Sequence, residues 1–179
     1  MSLTEAQSAE IAKYYKAYTD PGYRMKDPRK GEAEEILKSL PYRDSYLDVS
    51  AGRGQMTDYA RSIGFKTVMG TEVVPSLLGG DICYALAWDL PFGMKSFEVV
   101  SLFDVLEHIL PGDDEFVCKE LARVASKAIL LTANNHPSYY HINCRPYEEW
   151  HALFTEWFAP GVVSQVMGRA LSKLWRVDF

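Results

Sequence analysis

Asp48, Glu72, Asp89 and His108 are the side chains of this 179-residue chain whose positions could do chemistry. Asp48 closes the apolar-rich run Tyr46-Leu47-Asp48-Val49, and the turn Ser50-Ala51-Gly52-Arg53-Gly54 follows. Four of those five residues carry almost no bulk, so a ligand can lie directly on the backbone, and glycine admits angles that other residues avoid. Glu72 ends the next apolar run, 24 positions after Asp48. An ionised carboxylate only accepts hydrogen bonds, and an acid at this distance is where a ribose is met in nucleotide-binding folds. Asp89 sits in Trp88-Asp89-Leu90-Pro91-Phe92, after that run and a turn. His108 follows Asp104-Val105-Leu106-Glu107 and is the candidate general base, since a neutral imidazole can take a proton from a hydroxyl near pH 7. His136, Tyr139, Tyr140, His141, Asn143 and Arg145 crowd one later segment.

Elements that would hold these groups can be read from spacing. Leu47 and Val49 flank Asp48 as in a buried parallel strand. Met56, Tyr59, Ala60 and Ile63 recur at i, i+3, i+4, i+7, predicting a helix over 55–63 that stops at Gly64. Lys66 to Glu72 reads as the second strand, Ser96 to Phe103 as a central strand apolar on both faces, and Lys127 to Thr132 as the next. Asp113-Asp114 is expected to cap a helix over 114–125. Pro146 suits the first position of a helix over 146–158, whose stripe Trp150, Leu153, Phe154, Trp157 and Phe158 is core or a subunit contact. Val162 to Met167 and Leu171 to Phe179 read as a closing hairpin. At the other end, Thr4-Glu5-Ala6-Gln7 has capping-box spacing ahead of Ile11, Tyr14, Tyr15 and Tyr18. Asp20-Pro21-Gly22 breaks that helix, and Asp27-Pro28 opens another over 28–40. Between Glu72 and Trp88 there is too little chain for a full crossover helix, so one face of the sheet should be abbreviated.

The strand–turn–helix, the acid after the second strand, the Trp88 to Phe92 segment and Phe97 to His108 resemble, in this order, the class I S-adenosylmethionine-dependent methyltransferases, in particular the small-molecule "DVLEH" branch. The resemblance spans roughly residues 40–160. It implies an α/β fold: a doubly wound, mostly parallel seven-stranded sheet with helices on both faces, the last strand antiparallel, in one domain whose N-terminal helices, 1–40, cover the cofactor. It implies S-adenosyl-L-methionine as cofactor. Asp48 would face the methionine end, Ser50, Ala51, Gly52 and Gly54 would offer backbone contacts, and Glu72 would hold the ribose. Trp88, Asp89 and Leu90 would hold the adenine, and Phe103 and Asp104 would close the site. Tyr18, Tyr23, His136, Tyr139, His141 and Arg145 are the candidate acceptor contacts, with Arg145 equally able to pair with Glu148 or Glu149. Tyr14 and Tyr15 are read as packing residues. Ser50 stands where the family pattern has its first glycine; serine is small, and binding is expected to survive.

Composition bounds the alternatives. The formal net charge is −5, which argues against a large nucleic-acid footprint. Three cysteines without CxxC spacing suit a reduced, cytoplasmic protein. No apolar run is long enough for a membrane span and no leader is visible. The resemblance implies a small-molecule acceptor and no metal; the charge disfavours nucleic acid and no membrane is expected, and a homodimer is possible because the chain has few lid segments of its own. Two other functions share the features: a catalytically silent cofactor-binding regulatory protein, and a metal-dependent methyltransferase of RNA 3′-end ribose, suggested by Asp104-x-x-Glu107-His108 with a later histidine. A nicotinamide-dependent oxidoreductase shares the turn and the acid but gives the Trp88 and His108 segments no role.

Overall fold

The computed structural model describes residues 3–23, 30–169 and 172–179. Among the described residues five helices, α1 (Glu5–Ala17), α2 (Lys30–Ser39), α3 (Gln55–Ser62), α4 (Asp113–Val124) and α5 (Tyr147–Trp157), accompany seven strands. The strands are β1 (Ser45–Val49), β2 (Thr67–Glu72), β3 (Ile82–Tyr84), β4 (Phe97–Leu102), β5 (Ala125–Asn134), β6 (Val162–Arg169) and β7 (Ser172–Asp178). They form one sheet in the order β3-β2-β1-β4-β5-β7-β6. β1 to β5 pair in parallel, and β7 pairs antiparallel to both β5 and β6. This is the doubly wound, mostly parallel architecture expected, with the closing hairpin in place.

The strand order reverses between β1 and β4. Connections leave these two neighbours in opposite directions, so a crevice opens at their carboxyl ends. The central strands are buried on both faces: Leu47, Val49, Val100, Leu102, Ile129 and Leu131 pack with α4 and α5. Tyr46, Val99, Ala128 and Leu130 pack with α2 and α3 on the other side. Trp150, Phe154, Phe158 and Trp175 are fully buried, so the α5 aromatic stripe belongs to the core.

Local expectations held with informative exceptions. The Thr4 capping box forms in both directions. The crossover from β2 to β3 shrinks to a single 3-10 turn, Pro75–Leu77, as its length requires. α4 is capped by Gly112 at φ +99°, not by Asp113. Asp114 sits in the first turn and accepts the Gly112 amide at 2.9 Å, so the acid serves the helix start from inside it. Pro146 stands one place earlier than expected, just outside α5. The predicted opening at Asp27-Pro28 lies outside the described residues. No helix among the described residues is long and apolar enough to cross a membrane.

Candidate active site

A cavity of about 240 Å³ lies at the reversal point, between the tips of β1, β2 and β4 and the inner face of α1. Asp48, Ser50, Ala51, Gly52, Glu72, Trp88, Phe103, Asp104, His108, His141, Tyr18 and Tyr23 all line it. Gly54, at φ +75°, does not; it ends the turn and caps α3.

Asp48 is buried, and its Oδ1 accepts the Ser101 hydroxyl at 2.6 Å. The Tyr46 hydroxyl is bonded to Ser101 in turn. Burial is the main influence on Asp48 and pushes its carboxyl up to about 7, with the Ser101 hydrogen bond opposing and the Glu72 charge adding to the rise. Ser101 and Tyr46 were not singled out in the sequence. Their signal is the β1–β4 register, which sets Asp48 opposite Ser101 and is invisible without the pairing.

Glu72 is held by three backbone amides: Oε2 accepts Gly52 N at 2.9 Å, and Oε1 accepts Val73 N at 2.7 Å and Val74 N at 3.2 Å. Burial raises its carboxyl above the usual range and these amides pull it back. The turn is set by left-handed backbone at Ser50 (φ +59°) and Gly52 (φ +57°). A Cβ at Gly52 would sit 2.9 Å from the Tyr18 hydroxyl, so a side chain there would have to displace Tyr18 as well as adopt a strained backbone angle. Ser50 takes the left-handed conformation despite its Cβ, a cost of roughly 1 kcal/mol.

On the α1 side the cavity is aromatic. Tyr14 lies edge-on to the His108 ring at 5.3 Å, and Tyr18 edge-on to Tyr23 at 4.9 Å. Tyr14 therefore faces the site and is more than a packing residue, and burial holds its hydroxyl proton far above the ordinary tyrosine range. Arg53 donates to the carbonyls of Tyr23 and Asp20, which ties the chain after α1 to the Ser50–Gly54 turn.

Five expected contacts fall elsewhere. Asp89 is exposed, on a turn closed by its own amide to Leu86 O, and its charge sits beside Arg123. Leu90 is buried in the core and donates its amide to Glu120 at 2.8 Å. Of that segment only Trp88, with Ala87, reaches the cavity, because the tight turn points the next two residues away. His136 is exposed, and Tyr139 is 72% exposed under Lys13; the neighbour Tyr140 lines the cavity instead. Arg145 is a structural cation. It pairs with Asp114 at 2.7 Å and lies over the Trp150 ring at 4.8 Å, and Asn143 donates to the same Asp114 at 2.9 Å. This network, and the Glu107 carbonyl accepting the amides of Ile142 and Asn143, fasten the loop after β5 against α4 and the 3-10 turn Leu106–His108.

That fastening brings Glu107, His108 and His141 together, each offering one ligating atom within 4.8 Å of the others. No metal is expected from the sequence, where Glu107, His108 and a later histidine are metal-site residues only under the RNA 3′-end alternative.

Comparison with known proteins agrees with this geometry. Residues 47–129 match the family model described as a methyltransferase domain. A search of curated proteins finds no significant match. Among solved structures, the chain is similar to 1,6-didemethyltoxoflavin-N1-methyltransferase of Burkholderia thailandensis, solved with 1,6-didemethyltoxoflavin and S-adenosylhomocysteine. That similarity has TM-score 0.78 and 14% identity over 99% of this chain and 91% of that one. It is also similar to the PH0226 protein of Pyrococcus horikoshii OT3, with TM-score 0.73 and 16% identity over 93% and 98% of the two chains. A third similarity is to a chain from the complex of the Haloferax volcanii Trm112 methyltransferase activator with a candidate methyltransferase, at TM-score 0.72 and 13% identity over 99% of each.

Proposed function

We propose that this chain is a class I S-adenosylmethionine-dependent methyltransferase that transfers the cofactor's methyl group to a small-molecule acceptor held between α1 and the loop after β5. One observation carries the reading: the buried acids Asp48 and Glu72 and the left-handed turn between them line a single cavity with the aromatic inner face of α1.

The residues fit the cofactor. Two carboxylates that accept hydrogen bonds, a side-chain-free stretch of backbone at Gly52 and the flat faces of Trp88 and Phe103 suit an amino acid joined to a nucleoside. Glu72, fixed by three amides, would meet the two ribose hydroxyls without reorganising, and Asp48, backed by Ser101, would face the methionine amino end. Phe103 and Asp104 would close the floor. Asp104 is held by Thr132, which accepts its amide at 2.8 Å and donates to its Oδ1 at 3.0 Å. Bound S-adenosylmethionine supplies an electrophilic methyl on a sulfonium. The protein's task is to align the acceptor with that methyl and keep water out.

Tyr18, Tyr23, His141 and Tyr140 would shape the acceptor end. His108 is the candidate base. Its Nδ1 lies 2.8 Å from the Tyr140 carbonyl. A carbonyl only accepts, so Nδ1 carries the proton and Nε2 the lone pair. One cavity holds both the cofactor candidates and the acceptor candidates, and the similar Burkholderia thailandensis enzyme is solved with a small molecule, 1,6-didemethyltoxoflavin, beside S-adenosylhomocysteine. The test is a screen for S-adenosylhomocysteine release against pooled small metabolites. Turnover that grows with one fraction and is lost in Glu72→Ala supports the reading. Tight cofactor binding with no turnover on any fraction would favour the regulatory alternative.

A further inference from the structure

We propose that Ser101 and Tyr46 are positioning residues for the cofactor: they form a buried donor relay that fixes one oxygen of Asp48, leaves the acid's proton to the other, and so couples binding of the cofactor's ammonium group to release of that proton. The inference rests on the cofactor reading above and adds a property which that reading does not require.

The sheet builds the relay. Tyr46 and Asp48 stand two apart on β1, so their side chains leave the same face of the strand. β4 runs parallel beside β1 and sets Ser101 opposite Asp48. The Ser101 hydroxyl lies 2.6 Å from Asp48 Oδ1 and is bonded to the Tyr46 hydroxyl. Tyr46 and Ser101 are fully buried, and of the three only Asp48 lines the cavity.

The direction of each bond follows from the proton count. A serine hydroxyl carries one proton. Ser101 donates it to Asp48 Oδ1, so its oxygen accepts and the Tyr46 hydroxyl donates. Tyr46 keeps that proton, because burial holds its hydroxyl well above the ordinary tyrosine range. Both donors therefore point toward Asp48. Oδ1 is occupied as an acceptor, and in the neutral acid the proton sits on Oδ2.

That proton opposes the cofactor. A neutral acid presents O–H to an ammonium group, donor against donor, whereas the carboxylate presents an acceptor of opposite charge. Burial pushes the Asp48 carboxyl up to about 7, so near neutral pH the empty site is a mixture of the two forms. Binding selects the carboxylate and the proton leaves to solvent. By linkage, affinity rises with pH and levels off above about 7.

Other titratable or charged groups share the cavity: Glu72 from β2, Asp104 and His108 beyond β4, Arg53 in the turn and Tyr18 from α1. Glu72 is held by three amides, Asp104 by Thr132, and Arg53 is turned to the carbonyls of Tyr23 and Asp20. An imidazole ordinarily titrates in the same range as Asp48 does here, so the experiment separates His108 from Asp48.

The test is calorimetric titration of the full chain with S-adenosylhomocysteine at pH 6, 7 and 8. The wild type should bind about tenfold more weakly at pH 6 than at pH 8. At pH 7, titrations in two buffers of different ionisation enthalpy should report release of about half a proton per molecule bound. Asp48→Asn should bind weakly and lose the pH dependence, and His108→Gln should keep it. A slope that survives in Asp48→Asn, or vanishes in His108→Gln, overturns the coupling. Loss of a hydrogen bond to a charged group shifts such a balance about tenfold, so Ser101→Ala should move the midpoint up by about one pH unit. Its deficit against the wild type should then grow from about twofold at pH 8 to about fivefold at pH 7. Tyr46→Phe keeps the ring and should act in the same direction by less, which serves if Ser101→Ala does not fold; thermal melts at each pH check this. A deficit equal at every pH is packing alone and overturns the relay. Wild-type affinity that is flat from pH 6 to 8, with no proton released, overturns the coupling and leaves the cofactor reading intact. Absence of binding to the folded wild type at pH 8 overturns the cofactor reading itself.

Discussion

Asp48 is a buried acid placed where its charge costs the folded protein. Its carboxyl titrates at about 7 in the fold, against 3.8 for the ordinary group. Between those values the folded chain binds more protons than the unfolded chain, so Asp48's contribution to stability is present at low pH and is lost as pH rises through about 7. Asp48→Asn keeps an acceptor for Ser101 without the charge. The variant should be more stable than the wild type at pH 8, by up to about 4 kcal/mol, and the advantage should shrink as pH falls through about 7 and vanish only below about 3.8; urea denaturation across that range measures it. Asp48 and Glu72 were legible in the sequence because each ends an apolar run before small or turn-forming residues. Asp89 was misread for a physical reason. The Leu86–Asp89 turn spends its reach on closing itself, and one-dimensional spacing does not tell which of Trp88, Asp89 and Leu90 a tight turn aims inward. Ser101, which holds Asp48, is one more small residue in an apolar run until β1 and β4 are paired.

At the scale of elements, the site depends on two fastenings. The first is the turn after β1, where Tyr18 closes over Gly52. Gly52→Ala meets both the positive φ and the hydroxyl at 2.9 Å, and should cost about 1–2 kcal/mol of stability together with cofactor affinity. Adding Tyr18→Phe removes the close oxygen and leaves the ring carbon at 3.9 Å. The double variant should recover part of the affinity and keep the backbone cost, which calorimetry and thermal melts on the same samples separate. The second fastening is Arg145 on the buried Asp114. Removing one partner of a buried ion pair leaves the other uncompensated. Arg145→Ala should destabilise by about 2–4 kcal/mol, with Asn143 retaining part of the network. Denaturant unfolding checks the loss, and an unchanged midpoint would return Arg145 to acceptor binding. Most helices and strands were readable from period, caps and turn signals, but the three-residue β3 was not read as a strand. Of the loop after β5 the sequence offered only composition, so His141, which lines the cavity, was named together with Tyr139, which does not, and Tyr140 was passed over; which tyrosine turns inward is decided by packing against α1, over a hundred residues away in the chain.

For the molecule as a whole, the sheet order places the cavity. Parallel strands wound outward from β1 and β4 leave their carboxyl ends uncovered, and α1 supplies the missing wall. The antiparallel β7 completes the core under α5, where Trp175 packs edge-on to Phe154 at 5.2 Å. Trp175→Ala should cost about 3–5 kcal/mol, read by thermal melting, with the cavity 's own residues untouched. Individual strands and turns were legible from spacing, while the seven-stranded, doubly wound order was what the family resemblance implied. The fit of α1 over the crevice was visible only as a tyrosine stripe, equally suited to packing. The account stands or falls on whether that crevice binds the sulfonium nucleoside through its paired acids. Calorimetric titration of the wild type and of Glu72→Ala with S-adenosylhomocysteine tests this directly. One molecule should bind per chain, and the variant should lose at least about 2 kcal/mol of binding free energy, roughly thirtyfold in affinity. An absence of binding to the folded wild type, or equal affinity in the two proteins, would contradict it.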